Sequence, residues 1–190
     1  MASPAYRVRP LTPFSEVLVL ECAVFGDARG FFVEGFNQRM FQEATGLNAA
    51  FVQDNHSRSA KGVLRGIHYQ RPPHAQGKLV RVARGSVLDV VVDLRRSSPN
   101  FGRWASIQLN DADGLLLWIP PGFGHAFLTL EDGTDFIYKT TDYYAPDAEG
   151  SVAWNDPTIN IQWPLAMVNP ALLSAKDQAA PTLEHAKVFG

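Results

Sequence analysis

The stretch GLLLWIPPGFGHAFLTL, residues 114–130, holds two short apolar runs on either side of a turn. Leu115 to Ile119 and Ala126 to Leu130 are rich in strand-forming residues, and Pro120, Pro121, Gly122 and Gly124 punctuate the chain between them. The same pattern repeats outward in both directions. Val17 to Leu20, Lys78 to Ala83, Ser86 to Asp93, Trp104 to Asn110 and Asp135 to Thr141 read as further strands. Turn chemistry at Ala83-Arg84-Gly85, Ser98-Pro99-Asn100, Asp111 to Gly114 and Glu131-Asp132-Gly133 separates several of them. Strands about ten residues apart with such turns predict an all-β sandwich, barrel or jelly roll. Helix is confined to short peripheral pieces. Asn37 to Thr45 reads as one, ended by Gly46, and Pro170 to Ala180 as two turns in which Ser174 and Asp177 resemble a capping box.

Spacing within the opening stretch is more specific than its strand pattern. Gly114, Pro120, Gly122 and His125 fall at the intervals of the second cupin signature, and Gly62, His68 and Gly85 at those of the first. The first signature is altered. Its second histidine is Gln70, and its glutamate is Lys78. Metal-binding cupins hold a divalent ion with those groups, whereas two imidazoles beside an ammonium suit a cation poorly, because ligands must be neutral donors or anions. A bound metal is therefore not expected. What remains is a base (His68), a cation (Lys78) and a second imidazole (His125), and the fold expected is a cupin-type jelly roll with short peripheral helices.

Composition sets the outer bounds. The chain has 190 residues, 46% apolar and 19% charged, which suits one soluble domain. Its organisation reads as N-terminal strands over about residues 1–60, a jelly-roll core over about 61–165 and C-terminal helical turns over about 166–190. Seventeen Lys and Arg against nineteen Asp and Glu give a net charge of −2 with no basic stripe, so no nucleic-acid partner is expected. Cys22 is the sole cysteine, and no disulfide forms within such a chain. Met1 to Thr12 lacks the apolar run of a signal peptide, and no window reads as a membrane span; a cytoplasmic protein is expected. The absence of a GxGxxG or Walker sequence argues against a redox cofactor or NTPase role.

A histidine of ordinary basicity can remove a proton from carbon beside a ketone. A fixed ammonium in a water-poor cavity stabilises the resulting enolate. Inversion of the centre then needs an acid on the opposite face. Tyr138, which shares a strand face with Phe136 and Thr140, is the candidate. Read alone, Tyr138 also fits a packing aromatic, and Asp177 a simple cap of the turn begun by Ser174. Asp89, alternating with Val87 and Val91, faces either the same cavity or a partner within it. On these residues a metal cupin and a non-catalytic sugar-binding cupin remain open beside an isomerase.

Between about Val17 and Pro181 the chain resembles the dTDP-4-dehydrorhamnose 3,5-epimerase family. The matching blocks include Phe25-Gly26-Asp27, Arg29 to Phe32 with Glu34, Phe51 to Ser57, Leu64 to Gln70, Gln76 to Arg81 and Trp118 to Phe127. Further along come Tyr138-Lys139, Asp142-Tyr143-Tyr144, Glu149-Gly150, Trp154-Asn155-Asp156 and Leu173 to Asp177. The resemblance implies that His68 is the proton acceptor oriented by Asp177, that Tyr138 is the donor, and that Lys78 sits at the substrate's 4-keto oxygen. It implies nucleotide-sugar contacts from Arg29, Glu34, Gln53, Asp54 and Asn55, some supplied by the partner subunit, and a diphosphate contact from Arg65. Tyr144 would stack on thymine, and His125, Glu149 and Lys176 would make further substrate contacts. A jelly-roll homodimer acting on a dTDP-sugar without cofactor is also implied. Relatives that epimerise a single centre share the same base and acid, so action at C3 alone is the nearest rival.

Overall fold

The computed structural model describes residues 6–190; the first five residues of the stretch read for a leader lie outside them. Along the chain run β1 (Arg7–Leu11), β2 (Phe14–Glu21), β3 (Val24–Asp27), β4 (Gly30–Val33), β5 (Gln53–Ser59), β6 (Leu64–Gln70), β7 (Lys78–Arg84), β8 (Ser86–Asp93) and β9 (Trp104–Asn110). They continue as β10 (Leu115–Ile119), β11 (Phe123–Thr129), β12 (Thr134–Thr140) and β13 (Glu149–Ser151). Helices are short: α1 (Gln38–Thr45), α2 (Ala175–Gln178) and single 3-10 turns. The expected strands at β8, β9 and β10 coincide with the observed ones.

Two antiparallel sheets face one another, ordered β1-β2-β10-β7-β12-β5 and β13-β6-β11-β8-β9, while β3 and β4 form a separate two-stranded arm. This is the all-β jelly roll expected. Between the sheets lie Val17, Val80, Val82, Leu117 and Phe136 from one side and Val87, Val91, Leu109, Phe123 and Phe127 from the other. The outer faces are also covered. Phe41 of α1 packs over Leu20, Leu79, Leu116 and Trp118. The C-terminal segment lays Ile159, Trp163 and Leu183 over Leu64, Ile67, Val90 and Leu128. Double coverage explains why the central strands are apolar runs rather than alternating ones.

The main boundary difference is instructive. β11 begins at Phe123, earlier than the expected Ala126, because residues 123–125 pair with β8. Gly124 reads as a turn residue but sits in a strand, where glycine is required because a Cβ would lie 2.4 Å from Ile67 Cγ2. α1 follows the reading: the Asn37 side chain accepts from the Met40 amide, and Gly46 closes the helix at φ 71°.

Candidate active site

The site forms at one end of the space between the sheets, and a bulge in β6 organises it. Antiparallel pairing sets His125 opposite His68, but Phe127 opposite Arg65, so β6 carries one residue more than β11 across this interval. Residues three apart in a regular strand point to opposite faces; the bulge brings Arg65 and His68 to the same one. Gly66 permits it, with φ 117° and a virtual Cβ only 2.5 Å from the His125 carbonyl oxygen.

The amide freed by the bulge meets the C-terminal segment. Gly66 N–H donates to Asp177 Oδ1 at 3.3 Å, and the same oxygen lies 2.6 Å from His68 Nε2. Ser174 Oγ donates to Asp177 Oδ2 at 2.7 Å and accepts from the Asp177 amide at 3.1 Å. Against the upward push of burial, hydrogen bonds from His68 and Ser174 hold the Asp177 carboxyl below its ordinary range. His68 is shifted down: burial outweighs the support of Asp177, and the ammonium groups of Lys176 and Lys78 add to it. Asp177 is both cap and dyad partner.

Lys78 begins β7, and its Nζ reaches the His68 carbonyl oxygen at 3.4 Å. Burial pushes its pKa down to about 8, with Asp89 and Glu149 opposing and Lys176 reinforcing the shift. Asp89, fully buried, accepts from His125 Nε2 at 2.9 and 3.1 Å. The His125 ring stacks on Phe136 at 5.9 Å. Burial raises the Asp89 carboxyl, and His125 and Lys78 oppose it. Tyr138 projects from the facing sheet, packed on the inter-sheet core. Burial raises its phenol, partly offset by Arg65.

The rim is polar. Lys176 pairs with Glu149, whose Oε2 accepts from Tyr144 OH at 3.2 Å. Gln53 Oε1 accepts from the Tyr144 amide at 3.0 Å, and Gln53 Nε2 donates to Asn55 Oδ1 at 2.9 Å. Asn55 Nδ2 is buried without a hydrogen-bond partner, a donor ready for a ligand. Lys78 occupies the place of the cupin glutamate, and among the described residues no three His, Cys, Asp or Glu side chains converge as a metal set.

Comparison with known proteins gives these groups a context. A family model described as dTDP-4-dehydrorhamnose 3,5-epimerase matches residues 11–185. The chain belongs to this family. A curated dTDP-4-dehydrorhamnose 3,5-epimerase of Salmonella typhimurium is 53% identical over 92% of this chain and 94% of its own. The crystal structure of a 3,5-epimerase from Legionella pneumophila, in complex with dTDP-4-keto-L-rhamnose, superposes with a TM-score of 0.88 at 45% identity, covering 95% of this chain and 94% of that one. A 3'-monoepimerase from Streptomyces bikiniensis, solved with dTDP-quinovose, gives 0.85 at 37% identity, covering 93% and 88%.

The fold gathers most of the residues the family resemblance names, but not all. His68, Lys78, His125 and Tyr138 converge from the two sheets, and Asp177 reaches His68 from α2. Arg65 lies exposed beside them with its guanidinium on Ser59 Oγ, and Gln53, Asn55, Tyr144, Glu149 and Lys176 form the rim. Asp54 turns to the other face of β5 and pairs with Lys139 at 2.9 Å. Arg29 sits on the arm, paired with Asp27 at 2.5 Å. Glu34 follows β4 and accepts from Asn37 Nδ2 at 2.9 Å. Sequence reading assigned nothing to Ser57 and Ser59, the inward polar residues of β5, because QDNHSRS has no apolar alternation to mark a strand.

Proposed function

We propose that this chain epimerises C3 and C5 of dTDP-4-dehydro-6-deoxy-D-glucose, giving dTDP-4-dehydro-L-rhamnose. The observation that carries the reading is His68 fixed at 2.6 Å on a buried carboxylate, beside the Lys78 ammonium and facing a phenol on the opposite sheet. With Nε2 tied to Asp177, Nδ1 is left to accept a proton. It takes the proton from C5 and from C3 in turn, both of which flank the 4-ketone. The C–H electron pair moves into the enolate, whose oxygen Lys78 stabilises. Tyr138 then protonates the carbon from the other face, inverting it, and proton exchange with solvent resets both groups. The base contributes on the order of 10² to 10⁴ in rate and the oxyanion partner on the order of 10² to 10³.

In the same reading, Arg65 holds the diphosphate, a role suited to the planar guanidinium fork, and Tyr144 stacks on thymine. The arm supports a homodimer: Phe25, Phe31 and Phe32 are 53%, 61% and 67% exposed, and a second copy covering them would bring Arg29 and Glu34 to its own cavity. No helix among the described residues is long and apolar enough to cross a membrane. The lone buried thiol of Cys22 fits a reducing cytoplasmic setting.

Proton NMR of the substrate in deuterium oxide tests the chemistry. Deuterium entering at C3 and C5 with an L-rhamno product, both lost in His68→Ala, is the expected result. Exchange at C3 alone would place the chain with the monoepimerases. Tight binding without exchange would leave a nucleotide-sugar binder and overturn the catalytic reading.

A further inference from the structure

Gln70 occupies the position where the metal-binding cupin signature has its second histidine, and the chemistry above gives it no task. It is 4% exposed, yet its amide does not face the reacting groups. Nε2 donates to the His74 carbonyl at 2.8 Å and to the Tyr143 carbonyl at 3.1 Å, and Oε1 accepts from the Ala145 amide at 2.9 Å. These contacts bracket Tyr144. Two further glutamines hold the same segment: Gln53 through the Tyr144 amide and Gln76 through the Asp142 carbonyl at 2.8 Å.

Residues 143–145 lie outside any strand or helix, and Tyr143 and Tyr144 are 65% and 55% exposed. Apolar packing therefore does little to fix the Tyr144 ring; its backbone and the OH contact to Glu149 must do so. Glu149 itself pairs with Gln70 in the ladder between β13 and β6. One residue thus ties the platform's backbone to the strand that ends beside His68.

We propose that Gln70 is a positioning residue for nucleotide recognition, holding the 143–145 segment so that Tyr144 presents its ring to the base. The inference rests on the reading of Tyr144 as the base platform. Its effect belongs to binding of the dTDP moiety rather than to proton transfer.

The test is a double-mutant cycle with Gln70→Leu and Tyr144→Ala, reading Kd for dTDP by calorimetry and kcat by NMR. Loss of one base–aromatic stack weakens binding about tenfold. Tyr144→Ala should show that loss, Gln70→Leu should weaken dTDP about five- to tenfold with kcat within about twofold, and the pair should bind no worse than Tyr144→Ala alone, as expected for residues acting as a unit. Wild-type affinity in Gln70→Leu, additive losses, or a fall in kcat at unchanged Kd would overturn the clamp. If Tyr144→Ala binds dTDP as wild type does, the platform reading fails and takes the clamp with it.

Should Gln70→Leu not fold, Gln70→Glu serves instead. A protonated Glu keeps one donor and one acceptor; an ionised one only accepts and faces two carbonyls. His74, Asp142, Glu149 and Lys176 are ionisable neighbours in both proteins, so the difference from wild type is what is read. Affinity for dTDP that falls with rising pH more steeply than in wild type supports the clamp; a parallel profile overturns it.

Discussion

Burial lowers the pKa of both His68 and Lys78, but catalysis requires opposite charge states of them. His68 must be neutral to accept a proton, so activity appears as pH rises through its pKa. Burial sets that value below the ordinary imidazole range, with Asp177 opposing and the cations Lys176 and Lys78 reinforcing. Lys78 must be charged to stabilise the enolate, so activity disappears as pH rises through about 8. Tyr138, shifted upward, stays protonated across this window and remains a donor. A profile of kcat/KM should therefore rise below about pH 6.5, the unperturbed imidazole value, and fall near pH 8, since it reports the free enzyme's groups. Lys78→Arg, whose guanidinium does not titrate in this range, should lower the plateau and move the alkaline limb above pH 9. An unmoved limb in that variant would show that another group, not Lys78, sets it.

At the scale of elements, α2 carries catalysis and stability through one serine. Ser174 caps the helix and holds Asp177 Oδ2. Ser174→Ala should cost about 1 kcal/mol, which lowers Tm by about 2–4 °C in a chain of this size. With one carboxylate oxygen released, Asp177 orients His68 less well, and kcat should fall about tenfold, in line with loss of one hydrogen bond to a charged group. Thermal melts and kcat measured together check it; a lowered Tm with wild-type kcat would mean that Gly66 and His68 alone hold the carboxylate. The Ser174–Asp177 pair was legible in sequence because a cap is local. Its position against His68 was legible only through the family resemblance, since it depends on the C-terminal segment packing over the outer face of the β6–β11 sheet. His68, Lys78 and His125 were legible from cupin spacing, and β8, β9 and β10 from apolar runs between turns. Other elements escaped for physical reasons. β5 is polar because its inner face lines the site, β1 contains Pro10, and the arm strands β3 and β4 have no buried face to create an alternation. β6, which carries His68, is not among the expected strands either, because Gly66 interrupts its apolar pattern and a bulge there is not separable in sequence from a turn.

At the scale of the molecule, the arm poses a problem that one chain does not solve. It exposes Phe25, Phe31 and Phe32, and it carries Arg29, whose guanidinium pairs with Asp27 on the same hairpin rather than with a group in the cavity. Exposed aromatics this close together mark an interaction surface, and a two-fold pair is the commonest way for identical chains to satisfy one. In such a pair each cavity would hold His68 from one chain and Arg29 from the other, a division that complementation can detect. Arg29→Ala and His68→Asn, each nearly inactive alone, would be unfolded together and refolded as a mixture. Random pairing makes about half the dimers mixed, and each mixed dimer has one cavity with both wild-type residues and one with neither. About a quarter of wild-type activity should return, given the symmetry of a two-fold dimer. If Arg29 serves the cavity of its own chain, every cavity lacks one residue and nothing returns. A companion variant, Phe31→Ser with Phe32→Ser, separates assembly from contact: sedimentation should show it shifted to the 20.9 kDa monomer, with its own His68 intact but no complementation of either partner. A dimer that survives this double substitution would show that the arm is not what holds the two chains together.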